Sequence, residues 1–171
     1  MASLRENKAS MHWIASAGGP LVLVPKTMVG RWNGVNEGGG DYAAACAIDD
    51  YVGVIRWNGV DVLILNDEPL ATACLTAGII AFLRWVYAPN EAAITSVAEE
   101  LTDSLPQQQS NVMFHCRESR YTLFDAGAPG RSLVEMIEVD IMPGTYLVET
   151  HAMKPNDNVE LIAHVLRPAV D

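Results

Sequence analysis

Basic residues are scarce in this chain: 11 Lys and Arg against 21 Asp and Glu leave a formal net charge of −10 over 171 residues. That balance disfavours nucleic acid and anionic membrane surfaces, whose phosphates repel an acidic protein. A basic protein surface is the partner it suits, although the same charge also serves simply to keep a domain soluble. Cysteine is scarce too. Cys46, Cys74 and Cys116 stand far apart with no CxxC pair, which argues against a disulfide framework and against a cysteine-based zinc site. Long apolar runs are missing: none approaches the ~18 residues a membrane helix needs. The first ten residues carry Arg5, Glu6 and Lys8 but no apolar signal core. The expectation is a protein that stays in a reducing cytoplasm.

What is present reads as globular. Half of the residues are hydrophobic and 19% are charged, and the length fits one domain, or two small ones sharing an interface. A chain this long buries a core without needing a metal or disulfide. Residues 1–11 are a loose lead-in, 12–105 an α+β region, and 111–171 a β-rich region packed on it, with Pro106–Ser110 as the linker. The stretch Pro20–Pro25, PLVLVP, is a short continuous apolar run, the pattern of a strand buried on both faces. Tyr51–Trp57 and Val60–Leu65 flank Asn58-Gly59, the strongest short-range hairpin signal. Asp41 is placed to cap a short alanine-rich helix over Tyr42–Ala47. Gly78–Tyr87 reads as a further strand, and Ile94, Val97, Ala98 and Leu101 repeat at helical spacing over about 90–104. The remainder, with turns at Gly127–Gly130, Pro143-Gly144 and Pro155–Asn158, predicts a β-meander. The fold class is α+β, with mainly antiparallel sheets and one principal helix.

No catalytic constellation emerges. Gly18-Gly19 precedes PLVLVP, not a helix, so it cannot aim free amides at a phosphate as a nucleotide loop does. Pro20 removes a further donor; the pair is a bend into a strand. His12, His115, His151 and His164 show no HxH, HExxH or HxxxH spacing, and ordinary strand residues are the simpler reading. His115 and Cys116 are adjacent on a strand and point to opposite faces, so they cannot form a dyad with each other. The carboxylates are more informative. Asp49-Asp50 precede the hairpin and Asp67-Glu68 follow it, so its open end gathers them, and Glu37 and Asp41 add to the same end. Such a cluster suits a basic partner or a divalent cation, while its plain alternative is a set of solvated turn formers. Trp57, beside the tight turn, is expected to be partly exposed, and an exposed aromatic at a loop tip suits a binding anchor. The candidate partner-binding set is therefore Glu37, Asp41, Asp49, Asp50, Trp57, Asp67 and Glu68, with no catalytic, cofactor or metal residue.

The order Trp13-x-x-Ser16-x-Gly18-Gly19-Pro20-Leu21-x-Leu23-x-Pro25, Trp32-x-Gly34, Asp41-Tyr42 with Ala45-Cys46, Tyr51-Val52-Gly53, Asp67-Glu68-Pro69 with Thr72, and Arg84-Trp85 resembles the immunity protein 21 family of bacterial polymorphic toxin systems. The likeness covers about residues 12–105. Leu123–Asp125 and Pro143-Gly144-x-Tyr146-x-Val148 extend it more loosely, while Trp57-Asn58-Gly59 and the short, uncharged segment 106–111 depart from it. It implies a cytoplasmic protein that binds and blocks a cognate toxin domain, without enzymatic activity or cofactor. A basic nuclease is the toxin that the −10 charge suits. A generic interaction module or a self-associating structural one with a Trp-rich face, and a small hydrolase built from scattered His and carboxylates, are the alternatives. Oligomeric state is not legible.

Overall fold

The run Leu21–Pro25 is strand β1, and every one of its residues is buried. The computed structural model describes residues 11–36, 38, 40–66, 68–100 and 108–170, and its remaining strands are β2 Val52–Trp57, β3 Val60–Leu65, β4 Thr72–Leu75, β5 Ile80–Tyr87, β6 Gln108–Cys116, β7 Arg120–Asp125, β8 Ile137–Asp140, β9 Gly144–Asn156 and β10 Val159–Pro168. They form two five-stranded antiparallel sheets, ordered β2-β3-β1-β7-β8 and β4-β5-β10-β9-β6. Strand alternation then explains the buried run. Leu21 and Leu23 join the core between the sheets, with Leu63 and Leu65 from β3 and Phe82, Phe114 and Val148 from the second sheet. Val22 and Val24 turn to the other face, against Trp32 and Ala45. An antiparallel strand is buried on both faces here because helical segments cover the outer side.

Those coverings are local consequences of the sequence. Helix α1, Asp41–Cys46, brings Ala45 onto the outer face of the first sheet, beside the 3₁₀ segment Lys26–Arg31. Helix α2, Glu91–Glu99, starts at Asn90, whose side chain accepts the Ala93 N–H at 3.0 Å, and it buries Ile94 and Ala98 on the second sheet. Gly130 leaves no room for a Cβ beside the Val29 carbonyl, and its own N–H donates to the Trp32 carbonyl at 2.8 Å. Two loops far apart in sequence thus meet backbone to backbone, as only glycine permits.

The α+β class with antiparallel sheets holds. Several elements differ from expectation. Strand β4 is an addition: four residues gave too short a signal. Asp41 is the first residue of α1 and Gly40 its N-cap, with no side-chain cap. The expected helix beyond Glu100 falls partly on residues 101–104, outside those described. The C-terminal region is not a meander of successive partners. β7 and β8 join the first sheet beside β1, whereas β6, β9 and β10 belong to the second. The reason is that β1 and β5 each offer a second, unpaired edge, which strands from beyond the linker fill.

One open side of the sandwich is closed by a side chain. Asp61, on β3 and 7% exposed, accepts the His115 N–H of edge strand β6 at 3.1 Å and the Arg56 guanidinium at 2.9 Å. An inward carboxylate of this kind satisfies an edge donor that would otherwise invite another strand. Asp61→Ala should lose about 1–3 kcal/mol in urea unfolding, because it strands a donor and frees an edge. Asp61→Asn keeps an oxygen for His115 and should lose less.

Candidate partner-binding site

The β2–β3 hairpin carries most of the candidate residues. Asn58 and Gly59 both have positive φ, 47° and 83°, as the two-residue turn requires, and pairing runs from Trp57↔Val60 to Val52↔Leu65. At the open end Asn66 organises the chain. Its N–H donates to the Tyr51 carbonyl at 3.0 Å, and its side-chain amide donates to the Ile48 and Asp50 carbonyls at 2.5 and 3.1 Å. Asp49, Asp50, Tyr51 and Asn66 line a recess of about 270 Å³. The Asp50 carboxylate accepts the Tyr51 N–H at 2.7 Å. Asp49, Asp50 and Glu68 are exposed, and among the described residues they enter no ion pair. Their side chains therefore present negative charge outward, with no cation paired to them at the surface.

What holds this end in place is a residue that the sequence reading quoted only within the Arg84-Trp85 block of the family likeness, with no role of its own. Arg84 of β5 is 1% exposed, and its guanidinium crosses from the second sheet to donate to the carbonyls of Asn66 and of Glu68, the latter at 2.7 Å. Its Nε donates to Thr72 Oγ1 at 3.3 Å. Beyond that block, its signal in the sequence was a charged residue inside the apolar run IIAFLRWVY.

Two predicted members are corrected. Trp57 is buried at 8% exposure, not partly exposed: its ring lies 5.3 Å from that of Trp32, and its Nε1–H donates to Asp41 Oδ1 at 3.0 Å. Asp41 also accepts the Asn33 N–H at 2.9 Å. The Asp41 carboxylate is thus engaged at the closed, turn end of the hairpin and does not join Asp49 and Asp50. A Trp that finds both an aromatic partner and an acceptor for its N–H has no cause to stay wet. Glu37 and Asp67 lie outside the described residues. Asp49, Asp50 and Glu68 are the members of the set brought to the open end.

Cys46, His12 and His115 are exposed, whereas other groups a nucleophilic mechanism could draw on are sequestered. Burial pushes the Cys74 and Cys116 thiols up to about 12, so both are protonated at neutral pH. His164 is fully buried, with Nδ1 2.8 Å from Thr150 Oγ1, and burial holds it down at about 3. Among the described residues no group of three or more His, Cys, Asp or Glu is arranged to hold a metal ion, and no helix is long and apolar enough to cross a membrane.

Comparison with known proteins returned one relationship. The family model described as immunity protein 21 matches residues 12–159, from before β1 to the start of β10. No curated protein and no solved structure matches. The match reaches well past the residues 12–105 on which the sequence likeness rested and takes in strands of both sheets, so the chain belongs to the immunity protein 21 family.

Proposed function

We propose that this protein is a non-catalytic inhibitor that binds and neutralises a cognate toxin domain of a polymorphic toxin system. The observation that carries this reading is the family match over residues 12–159, since an immunity protein implies a protein partner. The contact runs through the acidic open end of the hairpin, with Asp49, Asp50 and Glu68 presented outward and Asp67 adjoining them in sequence. Exposed carboxylates that enter no ion pair favour a basic partner, and a net charge of −10 accelerates its capture. A nuclease toxin has such a surface, because it must hold phosphates. The raised thiols of Cys74 and Cys116 and the burial of His164 further support inhibition by occupancy, in the cytoplasm where such a toxin would act, with no cofactor.

The test is to recover the partner on the tagged protein and express it alone and together with this chain. Toxicity alone and growth on co-expression are expected; a partner harmless on its own overturns the reading. With that partner in hand, Asp49→Lys/Asp50→Lys should slow association at least about tenfold at low salt and flatten its salt dependence. Association rates indifferent to both salt and the double substitution would remove the acidic end, and the basic toxin, from the proposal.

A further inference from the structure

The pentapeptide Arg-Trp-Asn-Gly-Val occurs twice, as Arg31–Val35 and as Arg56–Val60. The two copies share the same local chemistry, so a difference in their reactivity comes from the fold. They are also neighbours. The rings of Trp32 and Trp57 lie 5.3 Å apart, and the Asp41 carboxylate accepts both the Asn33 N–H and the Trp57 Nε1–H. Each copy contains Asn-Gly, and these are the two Asn-Gly pairs of the chain. In such a pair the glycine nitrogen, with no Cβ on its own residue to shield it, can attack the asparagine side-chain amide.

The fold treats the two pairs differently. Gly34 is buried, and a Cβ on it would stand 2.5 Å from the Gly127 carbonyl oxygen. The Val35 N–H donates to that same carbonyl at 3.1 Å. Asn33 is held at three atoms: its N–H by Asp41 at 2.9 Å, its carbonyl by the Asn36 N–H at 3.3 Å, and its Oδ1 by Arg131 at 3.3 Å. Carrying the Gly34 nitrogen onto the Asn33 Cγ would disrupt this whole arrangement. Asn58 and Gly59 are exposed, and a Cβ on Gly59 would meet nothing within 4 Å. Among the described residues the Asn58 side chain enters no hydrogen bond. The pair closes the hairpin at its tip, next to the terminal Trp57↔Val60 pairing. Such tips open at lower free energy than packed loops.

We propose that Asn58 is a site of spontaneous deamidation in the folded protein, and that Asn33 is protected from it. The Gly59 backbone nitrogen forms a bond to the Asn58 Cγ as the bond from Cγ to the amide nitrogen breaks. That nitrogen leaves as ammonia, taking the proton of the Gly59 N–H, and solvent water opens the resulting five-membered imide at either carbonyl. Opening at one carbonyl leaves aspartate at position 58. Opening at the other leaves isoaspartate, whose backbone runs through the former side chain and is longer by a methylene. Aspartate tolerates positive φ, so the first product keeps the turn; a lengthened backbone no longer fits a two-residue loop. Either product adds a negative charge at the closed end of the hairpin.

Peptide mapping of the aged protein tests this, because trypsin cuts after Arg31 and Arg56 and leaves the two asparagines in separate peptides. Incubated folded at mildly alkaline pH, the protein should convert Asn58 at least about tenfold faster than Asn33, the tip opening more readily than the packed loop. In urea, where the shared pentapeptide acts without the fold, both should convert at similar rates. Asn58→Gly leaves a Gly-Gly pair suited to the same turn, and ion-exchange chromatography of this variant, aged while folded, should show the acidic species lost. Asn58 remaining intact in the folded protein over a period that converts it in urea would overturn the proposal. So would conversion of Asn58 no faster than that of Asn33 in the folded protein, or an acidic species that forms undiminished in Asn58→Gly.

Discussion

Arg84→Met should destabilise the protein by roughly 3–5 kcal/mol, enough to leave a domain of ordinary stability marginal. Methionine retains the apolar stem and much of the volume, so packing changes little and the loss isolates the guanidinium. Three acceptors lose a charged donor at once: the Asn66 and Glu68 carbonyls and Thr72 Oγ1. Hydrogen bonds to charged groups contribute about 1.5–3 kcal/mol each, with less than full additivity when they share one group. Arg84→Lys should recover little, because a single ammonium cannot span acceptors arranged for a planar fork. Chemical denaturation measures this directly. A change within 1 kcal/mol, of the order seen for surface positions, would mean that the bridge between the sheets contributes almost nothing. The substitution has a second readout. Arg84 fixes the backbone that follows β3, so folded Arg84→Met protein should capture a basic partner more slowly even though no acid has been altered.

Stability should also fall as the pH drops below about 6.5, with His164 as the source. The folded-state value of this residue, about 3, lies below its ordinary 6.5, because burial penalises the charged ring, with Arg84 and His151 adding to the effect. Between those values the unfolded chain binds a proton that the folded chain refuses. The stabilisation is therefore complete above about pH 6.5 and is lost progressively toward pH 3. One proton corresponds to at most about 1.4 kcal/mol per pH unit. Glu149 acts in a separate window. Burial works to raise its value, but hydrogen bonds from Arg167 and His151 outweigh it and hold it below the usual 4.5, so its contribution fades only as pH falls below that. Unfolding measured from pH 7 to pH 4.5 should thus show a slope that His164→Gln removes, glutamine keeping a polar partner for Thr150. An unchanged slope in the variant would assign the pH dependence elsewhere.

How much was legible depended on how far apart the cooperating residues lie. Asn58-Gly59 announced its hairpin because the turn's demand for positive φ is local, and PLVLVP announced burial on both faces because the pattern lies within one strand. Asn90 and the stripe after it marked the start of α2 for the same reason. Trp57 was misread because the groups that bury it, Trp32 and the Asp41 carboxylate, come from segments 25 and 16 positions away. Arg84 was given no role because two of its three acceptors are backbone carbonyls, which no side-chain pattern reveals. The acidic end was half legible: hairpin geometry brought Asp49 and Asp50 to the end of β3, but nothing local indicated that Asp41 is committed to the far end.

The interleaving of strands sets a condition on biosynthesis. β1 lies between β3 and β7, and β10 lies between β5 and β9, so each sheet has an early strand flanked by a late one. At roughly 5–20 residues per second of translation, the nascent chain carries β1 through β5 for seconds before their missing neighbours emerge, and the second sheet stays split until β10 clears the ribosome. Pairings this distant in sequence also form slowly once available. A newly made molecule thus completes both sheets only after the last strand, so on the proposed function the toxin is met by finished copies and not by nascent ones.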